Sequence, residues 1–266
     1  MGDQTGSRYL TAWLLSVALA AGAATARPIA RVPAAQAVTP ADRALRVEIG
    51  KRASKDLRAF YAARGNRPLW IGAGGQVTPA AAILLRQIET ADLDGVKVKS
   101  LKPGNLRDAL DSARPGDVAG LAKAELAASQ AYVRFVQALR KAPHAPMIYE
   151  TQALAPVVPT AAAALGSLAA ASSTEDYVRS MGWMMPLYAP LRASLAGDAL
   201  PPDQARVAEI NLARMRAIPA ISSGRWVLID ANSARLFMFD GPNFVDTMKV
   251  VVGKRESQTP EMAGFL

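Results

Sequence analysis

The sequence predicts an α+β protein, with a helical region first and a short strand-rich region after it. Two observations carry that reading. From Asp42 to Ile218 apolar residues recur at spacings of three and four, the period of a helix with one buried face. From Gly224 onward the pattern becomes short runs rich in Val, Ile, Leu, Phe and Trp, broken by turn residues, which suits strands. Composition agrees with the helical part. Hydrophobic residues make up 51% and aromatic residues only 6%, so alanine carries much of the apolar content, and alanine is the strongest helix former.

The elements follow in order. The N-terminus reads as a secretory signal over residues 1–26: Arg8 is the positive head, Leu10 to Ala21 the apolar stretch, and Ala24-Thr25-Ala26 a small-residue cleavage site. Residues 27–41, with Pro28, Pro33 and Pro40, read as a flexible leader. A helical domain is expected over 42–218. Its first helix is expected from Asp42 to Ala63, on the spacing of Leu45, Ile49, Ala53 and Leu57. Thr78-Pro79 starts a second helix, since proline fits a helix's first turn. Asp94-Gly95 closes it, with glycine as a left-handed cap. Asn105 is expected to cap a helix from Leu106 to Ala113. The longest helix is expected from Val118 to Lys141, with Ala128, Tyr132, Phe135 and Leu139 on its buried side. Prolines at 143, 146, 156 and 159 mark a linker near 143–160. Shorter helices are expected at Ala161 to Ala171, Glu175 to Met181, Pro186 to Ala196 and Gln204 to Ala217. Strands are expected at Arg225 to Asp230, Arg235 to Phe239 and Phe244 to Val252, the last with Phe244, Met248, Val250 and Val252 on one side.

The formal net charge is +9. The Lys and Arg residues are scattered and form no nucleic-acid-binding motif, so a generally basic surface is expected and no nucleic-acid partner. Cysteine is absent and His144 is the single histidine. A disulfide framework, a multi-histidine metal site and a cysteine nucleophile are therefore excluded within these residues, and no cofactor is expected. Once the signal is cleaved, no stable membrane span is expected, because no other stretch reaches about 20 apolar residues. His144 is expected to be a surface or packing residue. Trp70, Trp183 and Trp226 could stack on sugars, but their apolar neighbourhoods favour core packing. Lys254 and Arg255 could meet anionic peptides, although solvated turn charges are the simpler reading.

The strands occupy only the last part of the chain. Three short strands are marginal without further strands or a packing partner. They are expected to form the start of a β-domain over 219–266, cut part-way, with an unpaired apolar edge.

Ile210-Asn211-Leu212-Ala213-Arg214, Gly224 to Asp230, Arg235-Leu236, Asp240-Gly241, Lys249 to Lys254 and Thr259-Pro260 resemble the opening of the catalytic domain in scaffold-bearing murein L,D-transpeptidases. Phe60-Tyr61, Arg64, Arg67 to Trp70, Asp94-Gly95-Val96, Ala124 to Leu139 and Tyr177 to Leu195 are similar to that family's helical scaffold. The resemblance implies a periplasmic enzyme acting on peptidoglycan stem peptides. A cysteine thiolate would attack the bond after the third stem residue, and an amine of a neighbouring stem would resolve the acyl-enzyme into a 3→3 crosslink. Such a thiol needs a histidine beside it and N–H donors for the oxyanion. The family's His-rich, Ser-x-Gly-Cys element follows the Thr-Pro pair, and this sequence, which has Thr259-Pro260, does not contain that element. No catalytic residue is carried over, and these residues are expected to be inactive alone. A non-catalytic periplasmic wall-binding protein and an unrelated secreted helical protein with a β tail are the alternatives.

Overall fold

A computed structural model describes residues 39–141, 147–197, 200–221, 223–254 and 256–265. The signal expected at 1–26, the leader as far as Ala37 and Val38, His144 and Arg255 lie outside them. The described residues belong to one unit, Val38–Leu266. Its architecture is α+β, as expected.

Helix α1 (Pro40–Arg52) starts two residues before the expected position. Thr39 and Asp42 cap it reciprocally: Asp42 N–H donates to Thr39 Oγ1 at 3.1 Å, and Thr39 N–H donates to Asp42 Oδ2 at 3.0 Å. The single helix expected over 42–63 is two. Ala53 takes an extended ψ of 127° and ends α1, and Ser54 opens α2 (Lys55–Ala63). Periodicity hides this break, because Ala53 and Leu57 stay buried on the same side as Leu45 and Ile49.

Helix α3 (Pro79–Glu89) is followed by a 3₁₀ turn, Ala91–Asp94, closed by Gly95 at φ 68°. After α4 (Val98–Leu101) comes α5 (Pro103–Ser112), which begins before the expected Asn105 cap. Pro103 occupies its first turn, where a fixed φ is no penalty, and Lys102 precedes it at φ 55°. Helix α6 (Val118–Arg140) is the long one, capped by Asp117 through Gly120 N–H. It lies against α1, α2, α3, α4, α5 and also α7 (Ala161–Ala170). Tyr132, Phe135 and Leu139 on it are fully buried. Three further helices complete this part: α8 (Thr174–Arg179), α9 (Tyr188–Ala196) and α10 (Pro202–Met215).

The linker contributes a strand that periodicity did not reveal. Ile148–Tyr149 (β1) runs parallel to Met262–Ala263 (β5), with Ile148 opposite Met262. Between them in sequence, β2 (Arg225–Asp230), β3 (Arg235–Asp240) and β4 (Asn243–Lys249) form an antiparallel sheet in that order. Asp230 builds the β2–β3 turn by accepting from Asn232 N–H at 3.0 Å and Ser233 Oγ at 2.6 Å. Gly241 turns β3 into β4 at φ 52°. One expectation fails here. Phe244 pairs with Phe239 while Asp246 pairs with Met238, so Val245 is an inserted residue. A bulge of this kind resets the two-residue alternation. Phe244 and Met248 therefore lie on opposite faces of the sheet.

Candidate functional site

The region that differs from a plain helical bundle is the sheet and the anchor that holds it. The anchor forms just before β2. Arg216, at the end of α10, is buried and donates four hydrogen bonds to carbonyls: Leu139 at 3.0 Å, Asp94 at 3.0 Å, Ala138 at 2.8 Å and Lys141 at 2.8 Å. Three of these acceptors are in or just past the last turn of α6, whose carbonyls lack helical partners. A cation there is also favoured by the helix dipole. The next residues are held as well. Tyr149 Oη donates to Ala217 O at 2.6 Å, and Arg140 Nη1 donates to Ile218 O at 3.4 Å. The chain entering the sheet is thus fixed to α6 and to the linker strand.

A second cluster stabilises the same corner. Asp94 is buried and accepts from Arg192 Nε and from the Tyr188 hydroxyl, the latter at 2.8 Å. Burial raises the Asp94 carboxyl pKa, opposed by the adjacent Arg192. Burial also raises the Tyr188 phenol, as does the Asp94 charge.

A third cluster lies deeper in the helical part. Glu125 is fully buried on α6 and accepts from the Tyr61 hydroxyl at 2.6 Å and from the N–H groups of Leu69, Trp70 and Ile71 at 2.7, 2.9 and 3.1 Å. Ser129 Oγ accepts from Trp70 Nε1 at 2.8 Å and lies 2.6 Å from Tyr61 Oη. Burial pushes the Glu125 carboxyl upward, against these hydrogen bonds, which favour the ionised form. With both oxygens engaged and no exposure, Glu125 is a structural tie and not a general base. Its position could have been read in the sequence as a carboxylate on the buried stripe of α6, four residues after Leu121 and three before Ala128. Asp94, Arg192 and Arg216 gave no such signal, because each is paired across a long sequence separation.

The sheet has two unlike faces. On one, Trp226 stacks on Phe239 at 4.1 Å between centroids and 9° between planes. Phe244 meets Phe239 edge-on at 5.9 Å, and Trp226 Nε1 donates to Gly241 O at 2.7 Å. Trp226 and Leu228 on this face pack against the helical core. The other face carries Val227, Ile229, Leu236, Met238 and Met248 in register. Ile229 is 51% exposed and Met248 50%. Strands apolar on both faces read as strands buried on both faces. Among the described residues, β2 and β4 each keep one edge unpaired, and such edges can pair with an added strand.

The residues singled out in the sequence separate cleanly. Trp70 and Trp183 are core residues, 0% and 6% exposed, and Trp183 meets Tyr132 edge-on at 5.3 Å. Trp226 is partly buried in the aromatic stack. Lys254 is exposed at a bridge to Ser257. None of these is brought together with another as a catalytic group. Among the described residues no group of three or more acidic or histidine side chains is placed to hold a metal ion, and no helix is long and apolar enough to cross a membrane.

A family model described as a scaffold domain matches residues 55–195, just over half of the chain. It spans α2 to α9 and therefore the clusters around Glu125 and Asp94. No curated protein and no solved structure matches the chain.

Proposed function

The chain belongs to the Scaffold domain family, and from that premise we propose that it is a peptidoglycan L,D-transpeptidase-type protein, exported to the periplasm, whose helical scaffold carries the first strands of the acyl-transfer domain. One observation carries the reading. The helical part runs through α10 into a strand pair, Arg225–Asp230 and Arg235–Asp240, and the segments on either side of that junction are the ones that resemble the opening of that catalytic domain. Arg216 supports it by holding the junction to α6. A scaffold that presents a catalytic sheet needs this rigidity, since a loosely held site forfeits positioning.

The mechanism this implies is acyl transfer through a thioester. The thiolate attacks the stem peptide carbonyl, and the departing amine leaves with a proton. The acceptor amine then attacks the thioester and releases the thiol. These 266 residues contain no cysteine, so the thioester cannot form on them. Their role in the reading is to hold the strands and the substrate polymer.

The absence of cysteine favours one second reading, a non-catalytic wall-binding protein of the periplasm. A single experiment separates the two. The chain is incubated with isolated sacculi and tetrapeptide muropeptides, and pelleting and crosslinks are both measured. The transpeptidase-type reading expects pelleting, no 3→3 crosslinks from this chain, and crosslinking once a cysteine-bearing continuation of the same reading frame is included. The binding reading expects pelleting and no crosslinks in either case. Failure to pellet defeats both, and crosslinks formed by the cysteine-free chain defeat the thioester mechanism.

A further inference from the structure

We infer that Asn232, in the turn between β2 and β3, is a site of covalent self-modification, which loses its side-chain amide and becomes aspartate or isoaspartate with water as the only co-reactant. The inference does not rest on the transpeptidase reading. The chemistry sets its own requirements. The backbone nitrogen of the next residue attacks the asparagine Cγ. The Cγ–Nδ2 bond breaks, ammonia leaves with the proton given up by that nitrogen, and a five-membered imide closes. Water then adds to one of the two imide carbonyls and reopens the ring. Opening at Cγ gives aspartate, and opening at the main-chain carbonyl gives isoaspartate. The step needs a small following residue, a backbone free of helix and ladder geometry, an unclaimed following N–H, and access for water.

The five asparagines of the sequence meet these requirements unequally. Asn105 and Asn211 lie within α5 and α10 and are followed by leucines, so their backbone is fixed in the helical well. Asn243 opens β4 opposite Asp240 and is followed by Phe244. Asn66 is half-buried, with its amide so close to Gly50 that a Cβ there would lie 2.5 Å from Nδ2, and the bulky Arg67 follows it. Asn232 differs on every count. It is exposed in the turn 231–234, outside both strands, and the small Ser233 follows it. Among the described residues the Ser233 N–H donates to no backbone carbonyl, whereas Asn232 N–H is held by Asp230 Oδ1 at 3.0 Å.

The position gives the change a structural consequence. Asp230 organises this turn through Asn232 N–H and through Ser233 Oγ, the latter at 2.6 Å. Either product places a second carboxylate two residues from Asp230, so like charges meet within one turn. Isoaspartate also routes the main chain through the former side chain, which adds a methylene to the connection between Asp230 and Arg235. Those two residues pair across β2 and β3, and the length of a hairpin connection helps to set its register. The modification therefore falls on the turn that holds the sheet together.

The full chain is incubated in alkaline buffer and followed by peptide mapping with mass spectrometry, with a free peptide of residues 230–235 as the clock. The segment holding Asn232 should gain the mass difference between a carboxyl and an amide before any other asparagine does. Part of the product should accept a methyl group from an isoaspartyl carboxyl methyltransferase. Ser233→Val sets a stiff, β-branched side chain beside the attacking nitrogen, and Asn232 should lose its lead in that variant. Ser233→Gly removes the side chain and should quicken the change, which keeps the test open if the valine variant does not fold. An Asn232 that stays intact in the folded chain while the free peptide converts would overturn the proposal. So would another asparagine converting first, or one rate shared by wild type and both Ser233 variants.

Discussion

Arg192 Nε lies 3.0 and 2.9 Å from the two carboxylate oxygens of Asp94, and the two residues are 98 positions apart in the chain. Both side chains are nearly withdrawn from solvent, at 8% and 0% exposure. The same guanidinium donates through Nη2 to the carbonyls of Gln87 and Thr90, each at 2.9 Å. One side chain thus joins α9 to the end of α3 and the turn after it.

Removing that cation leaves Asp94 buried without its main partner. Arg192→Ala is expected to destabilise the fold by about 3–5 kcal/mol, the usual cost of stranding a buried charge. Replacing both partners, Arg192→Met with Asp94→Leu, should cost less than the two single changes summed. Urea denaturation of the four proteins measures this. Additive losses would mean that the pair is not coupled.

The pH dependence of Asp94 has a definite sign. Burial is the largest cause of its shift and raises its pKa above 3.8. The folded state therefore holds this proton to higher pH than the unfolded state. Stability from this group is fully present below 3.8 and is lost as pH rises through the folded value. Asp94→Asn cannot titrate. The stability of wild type minus that of Asp94→Asn should fall as the pH rises above 3.8. A difference that rises over the same range would contradict the burial argument.

The two faces of the sheet predict opposite responses. Ile229 and Met248 are half-exposed on the apolar outer face. Ile229→Lys and Met248→Lys should change stability by under about 0.5 kcal/mol, as surface substitutions do. They should also reduce self-association in sedimentation measurements, since an exposed apolar patch is a contact surface. Phe239, 2% exposed and stacked on Trp226, should behave differently. Phe239→Ala should cost the sheet about 3–5 kcal/mol, seen as loss of the near-ultraviolet signal of Trp226. Equal tolerance of all three would show that the aromatic face is not packed.

Much of the architecture was legible along the chain because its causes are local. Asp117 and the apolar stripe from Leu121 to Leu139 specify α6. Pro79 after Thr78 specifies the start of α3, and Gly95 closes the turn after it. The alternation and turn residues from Arg225 to Gly241 specify β2, β3 and the connection between them. Caps, side-chain periodicity and turn chemistry act within a few residues, so they leave a trace in the sequence.

What remained hidden depends on contacts between distant residues. The bend at Ala53 is invisible to a period that stays buried on both sides of it. The pairing of Ile148 with Met262 joins segments more than a hundred residues apart, and two-residue strands carry too little alternation to be seen. The inserted Val245 shifts the faces of β4 without changing its composition. Composition and periodicity alone determined that this is a helical domain followed by strands, and that it holds no thiol. Tertiary structure decided which charges are buried: Glu125, Asp94, Arg192 and Arg216 are stable inside only because their partners, brought from elsewhere in the chain, replace the water they lose.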